Sequence, residues 1–332
     1  MKTLNLDRYM ELTDQHKANC KLYSYYIDSL TLPSKIKTLA DLPFLPVRAF
    51  KEFDLLSVAE TEVFKVMLSS GTTGKQSKIY LDKHTAKQQS KGLTDSFKEY
   101  FGSGRFPMLI IDSENTARGR TARTAAVNGF SLYGKKRCFA LDSNMELKLQ
   151  EVQDFIKKHE GQKIFIFGFT FMLYQYLIQP LKNSGIKLDL SNSFILHGGG
   201  WKKLVNLNVS DNNFKSMLKE YTGCGAVHNY YGMIEQTGSI SFECERGHIH
   251  APSNGDVLIR NFQTFDVNKY GEEGIIQVCS TIQESYPGHS LLTEDIGVLY
   301  PASKCACGRK GDILVIKGRL QSAEIRGCSD AV

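Results

Sequence analysis

KIFIFGFTFMLYQYLIQPLKNSGIKLDLSNSFILHGGG, residues 163–200, reads as strand, helix, strand. Two short apolar runs, KIFIFG and SFILHGGG, flank an amphipathic segment over 170–184. Upstream the alternation continues with FKVMLSS at 64–70, a helical stretch near 84–100, PMLIID at 107–112 and a helical stretch near 146–159. Apolar runs separated by amphipathic helices are the pattern of βαβ units, so the expected fold is α/β with a mainly parallel sheet. The texture changes on both sides of this stretch. LDRYMELTDQHKANCKLYSYYIDSL (6–30) carries apolar positions every three to four residues and leads into the proline-punctuated DLPFLPVRAFKEFDLL (41–56). After residue 240 the runs GDVLIRN, GIIQVCS, IGVLY and DILVIKGR suggest short strands joined by turns. The expected organisation is a helical cap over 1–60, an α/β core over 61–240 and a smaller β-rich portion with a tail over 241–332.

Composition sets outer limits. With 42% hydrophobic and 23% charged residues among 332, the chain has enough apolar surface for a folded core and does not read as disordered. The net charge of +6 is scattered in short groups such as Lys202 and Lys203, with no basic block of the kind that binds nucleic acid. The opening MKTLNLDRYMELTDQ lacks an apolar signal core, and no stretch reaches the roughly 18 apolar residues a bilayer span requires. A cytoplasmic protein is expected. Eight cysteines are too few for a dense disulfide framework, and in a reducing compartment close pairs such as Cys305 and Cys307 more often bind metal.

SSGTTGKQSK at 69–78 is the clearest candidate for a phosphate-binding turn. A Walker loop needs four residues between its glycines and a hydroxyl residue after its lysine; here Gly71 and Gly74 bracket only Thr72 and Thr73, and Gln76 follows Lys75. The physical capacity remains. Hydroxyls of Ser69, Ser70, Thr72 and Thr73, backbone donors freed by glycine and the Lys75 ammonium can wrap a triphosphate, although a plain Ser/Gly turn fits the loop alone equally well.

Three companions decide between them: HNYYGMIEQTG at 228–238, TEDIG at 293–297 and KGRLQSAEIRG at 317–327. With the loop, they resemble in order and spacing the motifs of the acyl-adenylate-forming superfamily. The resemblance implies that Glu235 serves a magnesium ion bridging ATP phosphates, that Tyr231, with Gly232 after it, lies against adenine, that Asp295 accepts from ribose hydroxyls and that Arg319 donates near ribose or the α-phosphate. It further implies Lys75 and Lys78 as catalytic cations. One departure stands out: Ile234 occupies a position where the family usually has Ser or Thr. GFTFMLYQY at 168–176 and HGGGW at 197–201 resemble the places where this superfamily builds its acyl pocket and nucleotide floor, with Gly198, Gly199 and Gly200 allowing backbone approach to adenine. Helix-start packing and a satisfied core histidine at His197 are equally good readings of those two stretches.

PFLPVRAFK (43–51), LHGGGWKK (196–203) and AEIRGCSD (323–330) resemble the LuxE-type acyl-protein synthetases, a branch expected to lack the C-terminal lid domain of larger adenylating enzymes; a cut chain would end the same way. That resemblance implies passage of the acyl group from AMP to Cys328, where Arg326 can favour the thiolate, and then to a partner reductase. An incidental tail cysteine is the competing reading.

SFECERGHIHAP (241–252) and KCACGRKG (304–311) offer a tetrahedral zinc set in Cys244, His250, Cys305 and Cys307, with His248 the rival for His250. Four protein ligands leave no open position, so such a site is structural. The whole sequence is therefore read as an ATP- and magnesium-dependent ligase that makes acyl-AMP from a carboxylic acid, in the first instance a fatty acid, and passes it to a thiol as a thioester. A phenylacetate-CoA-ligase-like enzyme with CoA as acceptor, and a zinc-stabilised binding protein without catalysis, are the alternatives.

Overall fold

The computed structural model describes residues 5–69, 75–119, 121–199 and 209–320, which divide into two compact units. The first contains residues 5–69, 75–101 and 232–320; the second contains 102–119, 121–199 and 209–231.

In the first unit, the helix Leu6–Asn19 buries Tyr9, Leu12, Thr13 and His16, a stripe at helical spacing that faces the sheet segments of the C-terminal third. Tyr9 donates its hydroxyl to Asp256 Oδ2 at 2.8 Å, so the helical lead-in packs as part of this unit. A second helix, Lys21–Asp28, follows. Short strand β1 (Leu45–Pro46) is succeeded by β2 (Lys65–Leu68) and β3 (Lys78–Leu81), which pair antiparallel as a two-stranded hairpin. The parallel pattern inferred around FKVMLSS does not extend to this run, because Lys65–Leu68 pairs antiparallel with Lys78–Leu81, Leu68 opposite Lys78. Asp82 then accepts the Thr85 N–H at 2.7 Å and caps the long helix Lys83–Phe101.

The second unit holds strands β4 (Phe106–Ser113), β5 (Gly134–Leu141), β6 (Ile164–Phe169), β7 (Ser193–Gly198) and β8 (Ala226–Tyr231), parallel in the order β5-β4-β6-β7-β8. The segment read as a helix over 170–184 is a helical run in three pieces, Thr170–Leu173, Tyr174–Ile178 and Gln179–Ser184. Its Leu173, Leu177 and Leu181 sit fully buried with Ile166, Ile195 and Phe214. Because β5 and β6 lie on opposite sides of β4, the sheet reverses direction there, and a crevice is expected at the C-terminal ends of β4 and β6.

The chain then returns to the first unit with β9 (Ser241–Phe242), β10 (Ile249–His250), β11 (Gly255–Arg260), β12 (Glu273–Ser280), β13 (Ser290–Tyr300) and β14 (Ile313–Arg319). A six-stranded sheet forms in the order β10-β14-β13-β12-β11, antiparallel throughout, with β1 parallel to β13. The β-rich texture after residue 240 is this sheet.

Candidate functional site

The described ends of the predicted phosphate-binding stretch, Ser69 and residues 75–78, belong to the paired strands β2 and β3 and the residues next to them. Ser69 and Ser77 join the two arms: the Ser69 N–H donates to Ser77 O at 3.0 Å, and the Ser77 N–H donates to Ser69 Oγ at 2.8 Å. Both serines are buried, whereas the lysines beyond them are exposed and paired. Lys75 Nζ lies 2.6 Å from Glu52 Oε2, and Lys78 Nζ lies 3.1 Å from Asp54 Oδ1, which also accepts from the Tyr80 hydroxyl. Residues Ser70, Gly71, Thr72, Thr73 and Gly74 lie outside the described residues, as do Gly200 and Cys328.

Glu235 is 4% exposed. Tyr286 donates its hydroxyl to the Glu235 carbonyl at 2.9 Å and fixes this short turn. The carboxyl neighbours the Ser77 hydroxyl, itself buried and without a well-formed hydrogen bond among the described residues. Burial pushes the Glu235 carboxyl above the ordinary carboxylate range; the Ser77 hydroxyl and Arg319 guanidinium oppose that, and the Glu294 charge adds to it. An acidic group kept in so dry a place, with a buried hydroxyl turned toward it, suits a bound cation.

Of the other predicted residues, Arg319 acts on the same carboxyl and is itself paired with Asp295. Asp295 and Arg319 are directly opposite in the β13–β14 ladder, with Arg319 Nε 3.0 Å from Asp295 Oδ1. Arg319 Nη2 donates to Glu294 Oε2 at 3.0 Å. Glu235, Asp295 and Arg319 therefore belong to one unit and one electrostatic neighbourhood with Ser77. Gly232 is in this unit too, where a side chain would press on Ile240.

Gly198, Gly199 and Tyr231 fall in the second unit. Gly198 pairs with Tyr230 across β7 and β8, and a Cβ there would collide with the Tyr230 ring, so neighbouring-strand packing already demands this glycine. Gly199 has φ of 88°, a left-handed conformation that favours glycine. His197 is fully buried, with Nδ1 2.9 Å from Thr170 Oγ1 and Nε2 lacking a partner among the described residues; burial lowers its pKa to about 3 and keeps it neutral.

Elsewhere in the first unit, Cys244, His250, Cys305 and Cys307 bring one ligand atom each to within 4.8 Å of one another. Cys244 Sγ and Cys305 Sγ are 3.7 Å apart, and Cys307 Sγ is 3.3 Å from His250 Nε2. His250 Nδ1 donates to Gly311 O at 2.7 Å, which leaves the Nε2 lone pair facing the sulfurs. Backbone N–H groups of Arg246 and Arg309 donate to Cys244 and Cys307 Sγ, an arrangement that supports thiolates. These donors fit a tetrahedral zinc ion. His248 instead reaches Cys305 Sγ through Nδ1 at 3.1 Å.

Sequence reasoning gave no role to Ser77, Glu294, Glu52 or Asp54. Glu294 stood inside the quoted TEDIG, but strand alternation directs neighbours to opposite faces, so nothing in the sequence indicated that it would share Arg319 with Asp295.

This architecture is that of the adenylate-forming ligases. The chain is similar to 2-hydroxyisobutyryl-CoA ligase in an open conformation (TM-score 0.75, 16% identity, 97% of this chain and 75% of that one). It is also similar to ATP-bound MatB from Rhodopseudomonas palustris (TM-score 0.52, 15% identity, 79% of this chain and 49% of that one). At these identities the likeness shows the fold. The model of the LuxE acyl-protein synthetase family matches residues 4–332, and the chain belongs to that family. It is similar to the long-chain-fatty-acid–luciferin-component ligase of Vibrio harveyi, 21% identical over 332 residues covering 95% of this chain and 83% of that protein. The chain is thus an AMP-forming, acyl-adenylate-forming ligase. No helix among the described residues is long and apolar enough to cross a membrane.

Proposed function

We propose that this ligase activates a fatty acid with ATP in the cytoplasm and transfers the acyl group to the Cys328 thiol, from which an acceptor protein takes it. In the first half-reaction a carboxylate oxygen attacks the α-phosphorus of ATP; the bond to the bridging oxygen breaks, giving acyl-AMP and pyrophosphate. In the second, the Cys328 thiolate attacks the acyl carbon, and AMP leaves with the electrons of the carbon–oxygen bond. Glu235 and the Ser77 hydroxyl would hold the divalent cation that accompanies the nucleotide, which would supply charge neutralisation there. Asp295 orients the ribose, while Arg319, Lys75 and Lys78 face the phosphates, and preorganised charge of this kind carries most of such a reaction. The family resemblance assigns Tyr231, Gly198, Gly199 and Gly200 to adenine, and Ser69, Ser70, Gly71, Thr72, Thr73 and Gly74 to the phosphates.

The observation that supports this reading best is the company of Glu235: a buried carboxyl beside the base of the hairpin, in electrostatic contact with Arg319. The test is pyrophosphate exchange into ATP over a panel of carboxylic acids, together with acyl labelling of the protein. Exchange that survives Cys328→Ser while label disappears supports both halves; a wild-type protein that exchanges but never becomes labelled removes Cys328 and favours an external thiol such as CoA. A protein inert with every acid removes the reading entirely.

The same proposal includes a structural zinc ion on Cys244, His250, Cys305 and Cys307. The closed ligand set gives it a clamping role, tying β10 and the turn after β13 together.

A further inference from the structure

We propose that Glu294 is a positioning residue for nucleotide activation: it takes one end of the Arg319 guanidinium and keeps that cation, already in single-point contact with Asp295, from taking a two-point grip on it. The inference deepens the reading above and rests on it. Adjacent strand residues point to opposite faces, yet Glu294 and Asp295 both reach Arg319. The β13–β14 register explains this. Asp295 is directly opposite Arg319, a register shift follows between Ile296 and Gly297, and the Leu320 N–H donates to the Glu294 carbonyl at 3.0 Å, drawing the end of β14 alongside Glu294.

The two contacts are unequal. Nη2 of Arg319 makes a hydrogen bond to Glu294 Oε2 at 3.0 Å, whereas Nε, equally close to Asp295 Oδ1, is not aligned for one. The three side chains are only 24%, 15% and 20% exposed for Arg319, Glu294 and Asp295, so water screens them incompletely. A guanidinium fork matches a carboxylate at two points. Without Glu294, Arg319 is drawn into that two-point grip on Asp295, occupying the oxygens assigned to ribose. Glu294 also lies within electrostatic reach of Glu235, so its charge counts in the balance that an incoming cation and triphosphate must meet.

The test measures ATP binding to the full-length protein by calorimetry for wild type, Glu294→Gln and Glu294→Ala, alongside thermal melts and steady-state exchange kinetics. Alanine removes both charge and acceptor and is expected to raise the ATP dissociation constant about tenfold. Glutamine keeps length and acceptor oxygen and is expected to recover part of that loss. KM for ATP rises more than kcat falls, and the melting temperature of the glutamine variant stays at the wild-type value. A purely structural Glu294 would instead lower the melting temperature and leave KM in place. An alanine variant that binds ATP like wild type, or more tightly, overturns the proposal while leaving the proposed function intact. If alanine does not fold, unchanged ATP affinity in the glutamine variant overturns it equally. Wild-type protein that binds no ATP removes both.

Discussion

Asp112 and Arg123 grip each other at two points inside the second unit: Arg123 Nε donates to Asp112 Oδ2 at 2.7 Å and Nη2 donates to Oδ1 at 2.6 Å, with each side chain 3% exposed. The Thr116 hydroxyl and the Ser113 N–H also donate to Oδ1. The pair ties the C-terminal end of β4, where the sheet order reverses, to the helix Ala122–Phe130. Removing one partner strands a buried charge, so Arg123→Ala is expected to cost about 3–5 kcal/mol in urea unfolding. Asp112→Asn combined with Arg123→Met leaves no lone charge and should cost less than the sum of its single changes. A cost below about 1 kcal/mol for Arg123→Ala would show that water or rearrangement satisfies Asp112 and that the pair is not a structural tie.

Glu235 combines a proposed duty with a stability penalty. Its carboxyl is buried and its pKa is raised, so the folded protein holds that proton more tightly than the unfolded chain. The sign follows: stability contributed by the protonated form is present at low pH and declines as pH rises from the unfolded value of about 4.3 through the folded one. Glu235→Gln abolishes this decline. The variant should be more stable than wild type at pH 7, the difference should vanish near pH 4, and adenylate formation should be lost. Equal melting temperatures at pH 7 and pH 4 for both proteins would contradict it.

Much of the fold is legible in the alternation of apolar runs, and the reasons it fails are local. Ile164–Phe169 and Ser193–Gly198 are central strands buried on both faces, so they read as continuous apolar runs. Gly134–Leu141 lies at the sheet edge, where Lys135, Lys136 and Arg137 face solvent, and its charge hides it from an apolar scan. FKVMLSS carries the same signal as a parallel strand, since an apolar run says nothing of its partner's direction. At the candidate site, the motifs pick out Glu235, Asp295 and Arg319, which fall in one unit, and cysteine spacing picks out four donors that lie within 4.8 Å of one another. Ser77 and Glu294 were invisible because their significance lies in orientation: a hydroxyl turned toward a buried carboxyl, and a strand neighbour turned toward the same arginine.

His16 and His289 stack 5.0 Å apart in the first unit, both fully buried. His16 Nε2 donates to the Gln283 carbonyl, so its Nδ1 accepts from Ser57; His289 Nε2 meets Thr13. Burial lowers the pKa of His16 to about 4 and that of His289 further, with Arg8 opposing protonation of both. These groups are neutral in the fold and bind protons on unfolding. The stability these histidines contribute is therefore complete above about pH 6.5 and falls as pH drops toward 4. His16→Gln, which keeps a donor and an acceptor, should flatten the melting-temperature profile between those values relative to wild type. Profiles of identical slope would mean that His16 does not control acid stability.

The zinc proposal discriminates between two neighbouring histidines. His250 presents Nε2 to the Cys307 sulfur while Gly311 anchors its other nitrogen, whereas the His248 ring reaches Cys305 through Nδ1 and lies outside the set of four mutually close donors. Metal analysis of purified protein should give one zinc per chain, retained in His248→Ala and lost in His250→Ala and Cys305→Ser. Loss of a closed structural site removes a crosslink between β10 and the turn at 304–311, so those two variants should melt about 10 °C lower. Below that temperature they should still exchange pyrophosphate, because four protein ligands leave the ion no position for substrate. Zinc-free protein with an unchanged melting temperature would reduce the cluster to packed thiols and an imidazole.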